Sequence, residues 1–245
     1  SGGAILLDTV ETSSSILRCT FGNNSAALGG AMYVRNVIRV QSFGKSISGL
    51  WQSLEFANNS ATNGGAMYFD GEISLWLDKM LFTNNSAAEN GGAIYIGDVI
   101  SYNQFNLQVY EELTETFISY VYSFNGFNIT ASQFYNNYAK SAGALAVYSK
   151  AAGVIIFNSQ FGGNYATDNS GTFFVVSKWF EVIASRVFNS SAVYSGGCVS
   201  YLLSTGVVTN SVFDSCSSQD GGAFHVKEST FTMTNSIVNA SRATG

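Results

Sequence analysis

Few side chains in this 245-residue chain could do chemistry, and their spacing keeps them apart. Glycoside hydrolysis needs two carboxylates facing each other across roughly 5 to 10 Å, with donors beside them. Asp70 and Glu72 are close in sequence, but they open a loop with no basic or His neighbour. Asp214 and Asp220 share a turn with Ser and Cys. His225, the single histidine, stands where earlier repeats carry Tyr33, Tyr68 and Tyr95, and reads as a surface residue. Cys19, Cys198 and Cys216 sit at non-equivalent positions without the CxxC pairing that zinc sites favour. They read as buried small residues, with one disulfide left open. Arg35 and Arg39 share a short insertion, while Lys178 and Arg186 lie on different edges, so no basic face awaits uronate carboxylates. Acidic calcium repeats of the GGxGxDx type do not occur. The expectation is a protein that is not an enzyme, with no catalytic residue, cofactor or metal.

What recurs is asparagine. Asn24, Asn59, Asn85, Asn137 and Asn164 form one column, continued by Ser191 and Cys216. A column this narrow suggests a turn whose Asn tolerates unusual backbone angles and whose amide bonds to the amides above and below, an asparagine ladder. Sequons of the form NxS/T fall at Asn23, Asn58, Asn84, Asn128, Asn189 and Asn239. With this much Asn, Ser and Thr, their number means little; their position means more. Asn23, Asn58, Asn84 and Asn239 precede or parallel the ladder residue in an exposed turn, where a secreted eukaryotic chain would be glycosylated. Asn58 and Asn84 would lie about 4.8 Å apart, so two glycans there must splay. In a bacterium these sequons would carry no such meaning.

The elements that position these residues follow from the same repeat. Aligned on Phe21, Phe56, Phe82, Phe134, Phe161, Phe188 and Phe213, with Ile237 last, the chain shows further apolar columns. Five residues upstream stand Ile16, Trp51, Leu77, Ile129, Ile156, Ile183, Val208 and Thr232. Beyond a Gly-Gly pair come the columns of Met32 (Ile5 to Phe224) and Val34 (Leu7 to Val226). Alternation of apolar and variable positions is the period of a strand with one buried face. A unit of about 25 residues that repeats this often buries its apolar face only against its neighbours, so the chain is all-β and coils as a parallel β-helix of about eight turns. Zero Pro suits a ladder that uses nearly every backbone N–H. No phosphate loop is implied by the glycines, since neither GxxxxGK[ST] nor a following helix is present.

Composition sets the outer limits. A charged fraction of 11% beside 46% hydrophobic residues describes a chain with a core. A net charge of -5 with scattered basic residues argues against nucleic acid as partner. No apolar run is long enough to span a membrane in this segment. The phrase runs through residues 1–245 without a linker, which predicts a single domain. The chain opens in mid-repeat, without Met, and closes where another Gly-Gly-Ala is due, so a segment of a longer array is expected. Its first and last half-repeats are complementary, which would let another copy stack in phase as a filament.

FxxN paired with GGA[IML], as in Phe21 to Asn24 with Gly29 to Met32, resembles the repeat of the chlamydial polymorphic membrane proteins. The whole resembles a right-handed parallel β-helix of the pectin-lyase-like class, and similar repeats occur in surface proteins of protists and algae. The resemblance implies a surface-exposed passenger or adhesin region. Two surface features remain for function. Tyr33, Tyr68 and Tyr95, outward on adjacent turns, would stack as an exposed stripe, either as plain cross-strand support or as a platform for sugars or a neighbouring chain. Insertions follow Arg35 and Gly97. The second, residues 97–126, is aromatic (Tyr102, Phe105, Tyr110, Phe117, Tyr120, Tyr122, Phe124) and acidic (Glu111, Glu112, Glu115), and alternates from Asn106 to Tyr122 as a hairpin would. It either covers the coil or meets a glycan or protein ligand. The expectation is an extracellular or cell-surface scaffold, structural or adhesive: a stalk, adhesin passenger or filament subunit, N-glycosylated, self-associating end to end or laterally. The alternatives are a polysaccharide lyase or glycosidase, and a lectin-like module.

Overall fold

A computed structural model describes residues 2–11, 16–38, 50–73, 75–100, 105–111, 116–122 and 126–245. All of its described regular structure is β, and outside one hairpin every strand pair is parallel. Each rung passes through four rows of strands. The first two rows form one fourteen-stranded sheet, because the long strands Leu145–Phe157 and Phe173–Ile183 run through both. An eight-stranded and a seven-stranded sheet close the coil. This is a parallel β-solenoid of about seven turns rather than the expected eight; the half-repeats at either end contribute only part of a rung.

Register shows why the apolar columns exist. Ile5, Met32, Met67, Ile94, Leu145, Phe173, Val199 and Phe224 pair in succession. Opposite them, Phe21, Phe56, Phe82, Phe134 and Phe161 stack with centroids 4.9, 5.0, 4.6 and 4.6 Å apart. Phe56, Phe82, Phe134 and Phe161 are fully buried, worth about 1.5–3 kcal/mol each from burial alone.

Past Phe161 the sequence alignment on Phe slips by one residue. Val187, not Phe188, pairs with Phe161 and Phe213, and Val238, not Ile237, follows Phe213. The upstream column takes Val182 and Met233 in place of Ile183 and Thr232. Gly162 is the cause. It leaves open space outside the sheet, and the Phe188 ring folds over it so closely that a Cβ at Gly162 would strike the ring.

The corners share one construction. A residue in the left-handed region, φ near +55°, bends the chain, and the next residue turns inward. Before the eight-stranded sheet the bending residues include Lys79, Ala131, Asn158, Ala184 and Asn210; after it they are Asn23, Asn58, Asn84, Asn136, Gly163, Asn189, Ser215 and Ala240. The unusual backbone angle therefore belongs to the residue before the ladder asparagine and not to the ladder residue. At the Gly-Gly corner the first glycine bends and the second touches the rung above: a Cβ on Gly65 would collide with the Gly92 carbonyl.

Both insertions leave from the corner inside the fourteen-stranded sheet. There Met32–Ile38 ends before Leu50–Gln52 and Ile94–Ile100 before Gly126–Thr130, whereas the rung between them crosses from Ile73 to Leu75. Phe105–Glu111 pairs antiparallel with Thr116–Tyr122, placing Phe105 opposite Tyr122. Arg39, Tyr102, Glu112, Glu115 and Phe124 lie outside the described residues.

Candidate functional site

The corner between the eight- and seven-stranded sheets holds the asparagines. Asn24, Asn59, Asn85, Asn137 and Asn164 point inward, and each of the first four donates Nδ2–H to the Oδ1 of the next, at 2.9, 3.0, 3.1 and 3.1 Å. The same Oδ1 accepts the backbone N–H of the preceding asparagine. The second Nδ2 hydrogen of Asn59, Asn85 and Asn137 goes to the carbonyls of Phe21, Phe56 and Phe82. These buried amides are saturated, which is what burial of a polar group demands. Past Asn164 the position passes to Ser190 rather than Ser191, because the one-residue slip carries through the turn: Ser191 N–H bonds to the Asn164 carbonyl and its side chain lies on the outer row. Cys216 follows.

Two further ladders are serine, and sequence reading missed them. Ser132, Ser159, Ser185, Ser211 and Ser236 line the corner before the eight-stranded sheet, each hydroxyl accepting an N–H from the rung before it. All five hydroxyls also donate to the carbonyl two residues back. Ser204 and Ser229 repeat the device, their hydroxyls accepting the N–H of Ser177 and of Ser204. The available signal was their separations of 27, 26, 26 and 25 residues, matching the repeat.

The sequon asparagines do not share one environment. Asn23, Asn58, Asn84 and Asn189 are exposed bending residues at the asparagine corner. Asn239 is also exposed but lies one position earlier, within Ile237–Asn239, because Ala240 takes the bend; its amide donates to Asp214. Asn128 lies half-buried in Gly126–Thr130, in register with Trp76 and Ile155. Its sequon hydroxyl, Thr130 Oγ1, donates to Asp78 at 2.8 Å and accepts from Trp76 Nε1 at 2.7 Å.

Tyr33 meets Tyr68 edge to face at 5.2 Å, Tyr68 stacks on Tyr95 at 4.9 Å, and the row continues through Tyr148 to Phe174. Tyr148 fills the space over Ala146. The row is less open than an exposed stripe, with Tyr33 buried and Tyr68 and Tyr95 half-buried. Burial first, and then the Asp168 charge, push the Tyr148 phenol up to about 12.

The remaining titratable groups are spread along the solenoid. Asp70 lies within the strand Met67–Ile73 rather than opening a loop, and accepts from Tyr33 at 3.4 Å. Asp214 is likewise in a strand, 3.7 Å from Arg186. His225 pairs in register with Ser200 and is half-buried. Cys198 and Cys216 form a disulfide inside the coil, Cα atoms 5.5 Å apart, whereas Cys19 is exposed and not a buried small residue. Among the described residues no cluster of His, Cys, Asp and Glu could hold a metal ion, and no helix is long and apolar enough to cross a membrane.

Stacked rungs, inward ladders and outward bends define a β-helix repeat protein. Residues 79–97 match the family model of the Chlamydia polymorphic membrane protein repeat, so the chain is similar to that family in its repeat as well as in its solenoid. No curated protein and no solved structure matches the chain.

Proposed function

We propose that the chain is an extracellular or cell-surface scaffold of structural or adhesive kind, a stalk, adhesin passenger or filament subunit that carries N-linked glycans. The observation that carries this reading is the division at the asparagine corner: the inner asparagines are saturated along the ladder, while Asn23, Asn58, Asn84 and Asn189 stand exposed on the bends. The name of the matched repeat, that of a membrane protein, points to the same location. A buried disulfide adds support, since such bonds persist in oxidising compartments. In glycosylation the Asn Nδ2 forms a bond to C1 of a sugar held on a diphosphate donor. The donor's C1–O bond breaks, the diphosphate leaves with that electron pair, and the amide gives up one proton.

The scaffold does no chemistry of its own. Two of its carboxylates are engaged between rungs: Asp78 accepts from Gln52 and Thr130, and Asp214 from Asn239. Self-association, end to end or lateral, and a glycan or protein ligand at residues 97–126 belong to the same reading; nucleic acid does not. Secretion from a eukaryotic cell followed by site-resolved glycopeptide mass spectrometry tests it, with sugar expected on the exposed corner asparagines. Six bare sequons would overturn the glycosylation, and turnover of a polysaccharide that is lost on a carboxylate-to-amide substitution would overturn the scaffold.

A further inference from the structure

The four corner sequons share one backbone bend, yet their neighbours one rung onward differ. The N–H of each bending asparagine bonds to a carbonyl of that rung: Asn23 to Ala57, Asn58 to Thr83, Asn84 to Tyr135 and Asn189 to Asp214. The outer position on the other side of the same bend is Ser60, Ser86, Tyr138 and Ser217 respectively. Only Asn84 is bracketed by aromatic side chains on both sides.

Tyr138 is exposed, at 43%, and one face of its ring rests on Tyr165, centroids 5.7 Å apart. Its other face looks toward the rung of Ser86, the last residue of the Asn84 sequon, and a hydroxymethyl group is too short to cover it. Tyr138 N–H bonds to the carbonyl of Asn85, the middle residue of the same sequon, so the ring stands one rung from the attachment point. Across the bend Tyr135 is half-buried, fixed by its hydroxyl to Gln160 Oε1 at 3.0 Å.

We infer that the first sugar on Asn84 packs against Tyr138, with Tyr135 as the second wall, and that Asn84 is thereby the one corner site whose glycan is held to the protein. The inference rests on the glycosylation reading above. Its chemistry is that of a pyranose ring: the C–H face meets the open aromatic face, and the hydroxyls and acetamido group stay in water. It also resolves the crowding of Asn58 and Asn84, adjacent rungs about 4.8 Å apart, because the Asn84 glycan leans onward over Tyr138 and leaves the space outside Asn58 free.

Asn58 is the internal control, with the same bend, the same Asn-Asn-Ser sequon and no aromatic neighbour one rung on. The test uses protein secreted from a eukaryotic cell and digested under native conditions with a peptide amidase that cleaves the sugar–asparagine bond, release being followed site by site. Asn84 is expected to release its glycan roughly fivefold more slowly than Asn58, the ratio a contact of aromatic-pair strength supports. Tyr138→Ser should bring Asn84 to the Asn58 rate, and Tyr135→Thr should narrow the gap. Both substitutions install the residue found one rung earlier in the same column, Ser86 and Thr83, so the coil accommodates them. An N-acetyl methyl resonance shifted upfield by the Tyr138 ring, and lost in Tyr138→Ser, is the second expected readout. Equal release rates with both sites occupied overturn the inference, as does sugar on Asn58 with none on Asn84. Sugar on no sequon overturns the glycosylation reading with it.

Discussion

Tyr201 carries its hydroxyl into the coil, fully buried and with no hydrogen-bond partner among the described residues. The ring is there because Gly206 is: it fills the space that Phe180 takes one rung earlier, and a Cβ at Gly206 would touch it. The hydroxyl comes with the ring and pushes its own pKa up through desolvation. Tyr201→Phe keeps the packing and removes the orphan group, so chemical denaturation should show a gain of about 1 kcal/mol; a comparable loss would mean the hydroxyl has a partner. Tyr148 tests the opposite case, a phenol held by Asn90 Oδ1 at 3.1 Å. Its folded pKa, near 12, lies above the ordinary value of 10.0, so the fold favours the neutral form. Its contribution is complete below pH of about 10 and is lost as pH rises through about 12. Denaturation midpoints between those pH values should fall less steeply in Tyr148→Phe than in the parent chain.

At the scale of the turn, the second glycine of each Gly-Gly pair is where one atom matters most. Gly65→Ala drives a Cβ into the Gly92 carbonyl and should cost about 3 kcal/mol. Gly22→Ala, whose Cβ would meet nothing nearer than 3.7 Å, should cost less than about 1 kcal/mol. Equal losses from the two, read from thermal and urea unfolding, would mean that glycine serves flexibility and not close approach. The strand columns were legible in sequence because the period-2 alternation of Met32, Tyr33 and Val34 repeats with few substitutions. The shift to Val187 was not, because Phe188 looks like the repeat's own residue and only Gly162, one rung away, shows that the ring belongs outside. Serine ladders were hidden by composition, since Ser recurs throughout the chain and surface serines mask the repeat spacing of buried ones such as Ser132 and Ser211. The disulfide was hidden by geometry: Cys198 and Cys216 are 18 residues apart in sequence and adjacent only because the coil brings two corners together across its interior.

Across the molecule, that bond is the single covalent tie between corners. Closing a loop of this length contributes about 3 kcal/mol, so reduction should lower the unfolding midpoint by roughly 6–12 °C and leave the Cys198→Ala/Cys216→Ala variant unaffected by reductant; no change on verified reduction would show that packing alone sets the stability there. The ladders add a property that no single rung has. Every bond from one ladder asparagine to the next runs the same way, N–H from the lower-numbered rung to Oδ1 on the higher, and the N–H bonds to the serine hydroxyls run with them. Backbone bonds in a parallel sheet point both ways and largely cancel, but these side-chain dipoles add head to tail. The aligned amides therefore give the axis of the rod an electrical sense where the asparagine ladder runs, as a magnet has one. A surface built from such rods would favour alignment in one direction when joined end on end and alternation when laid side by side.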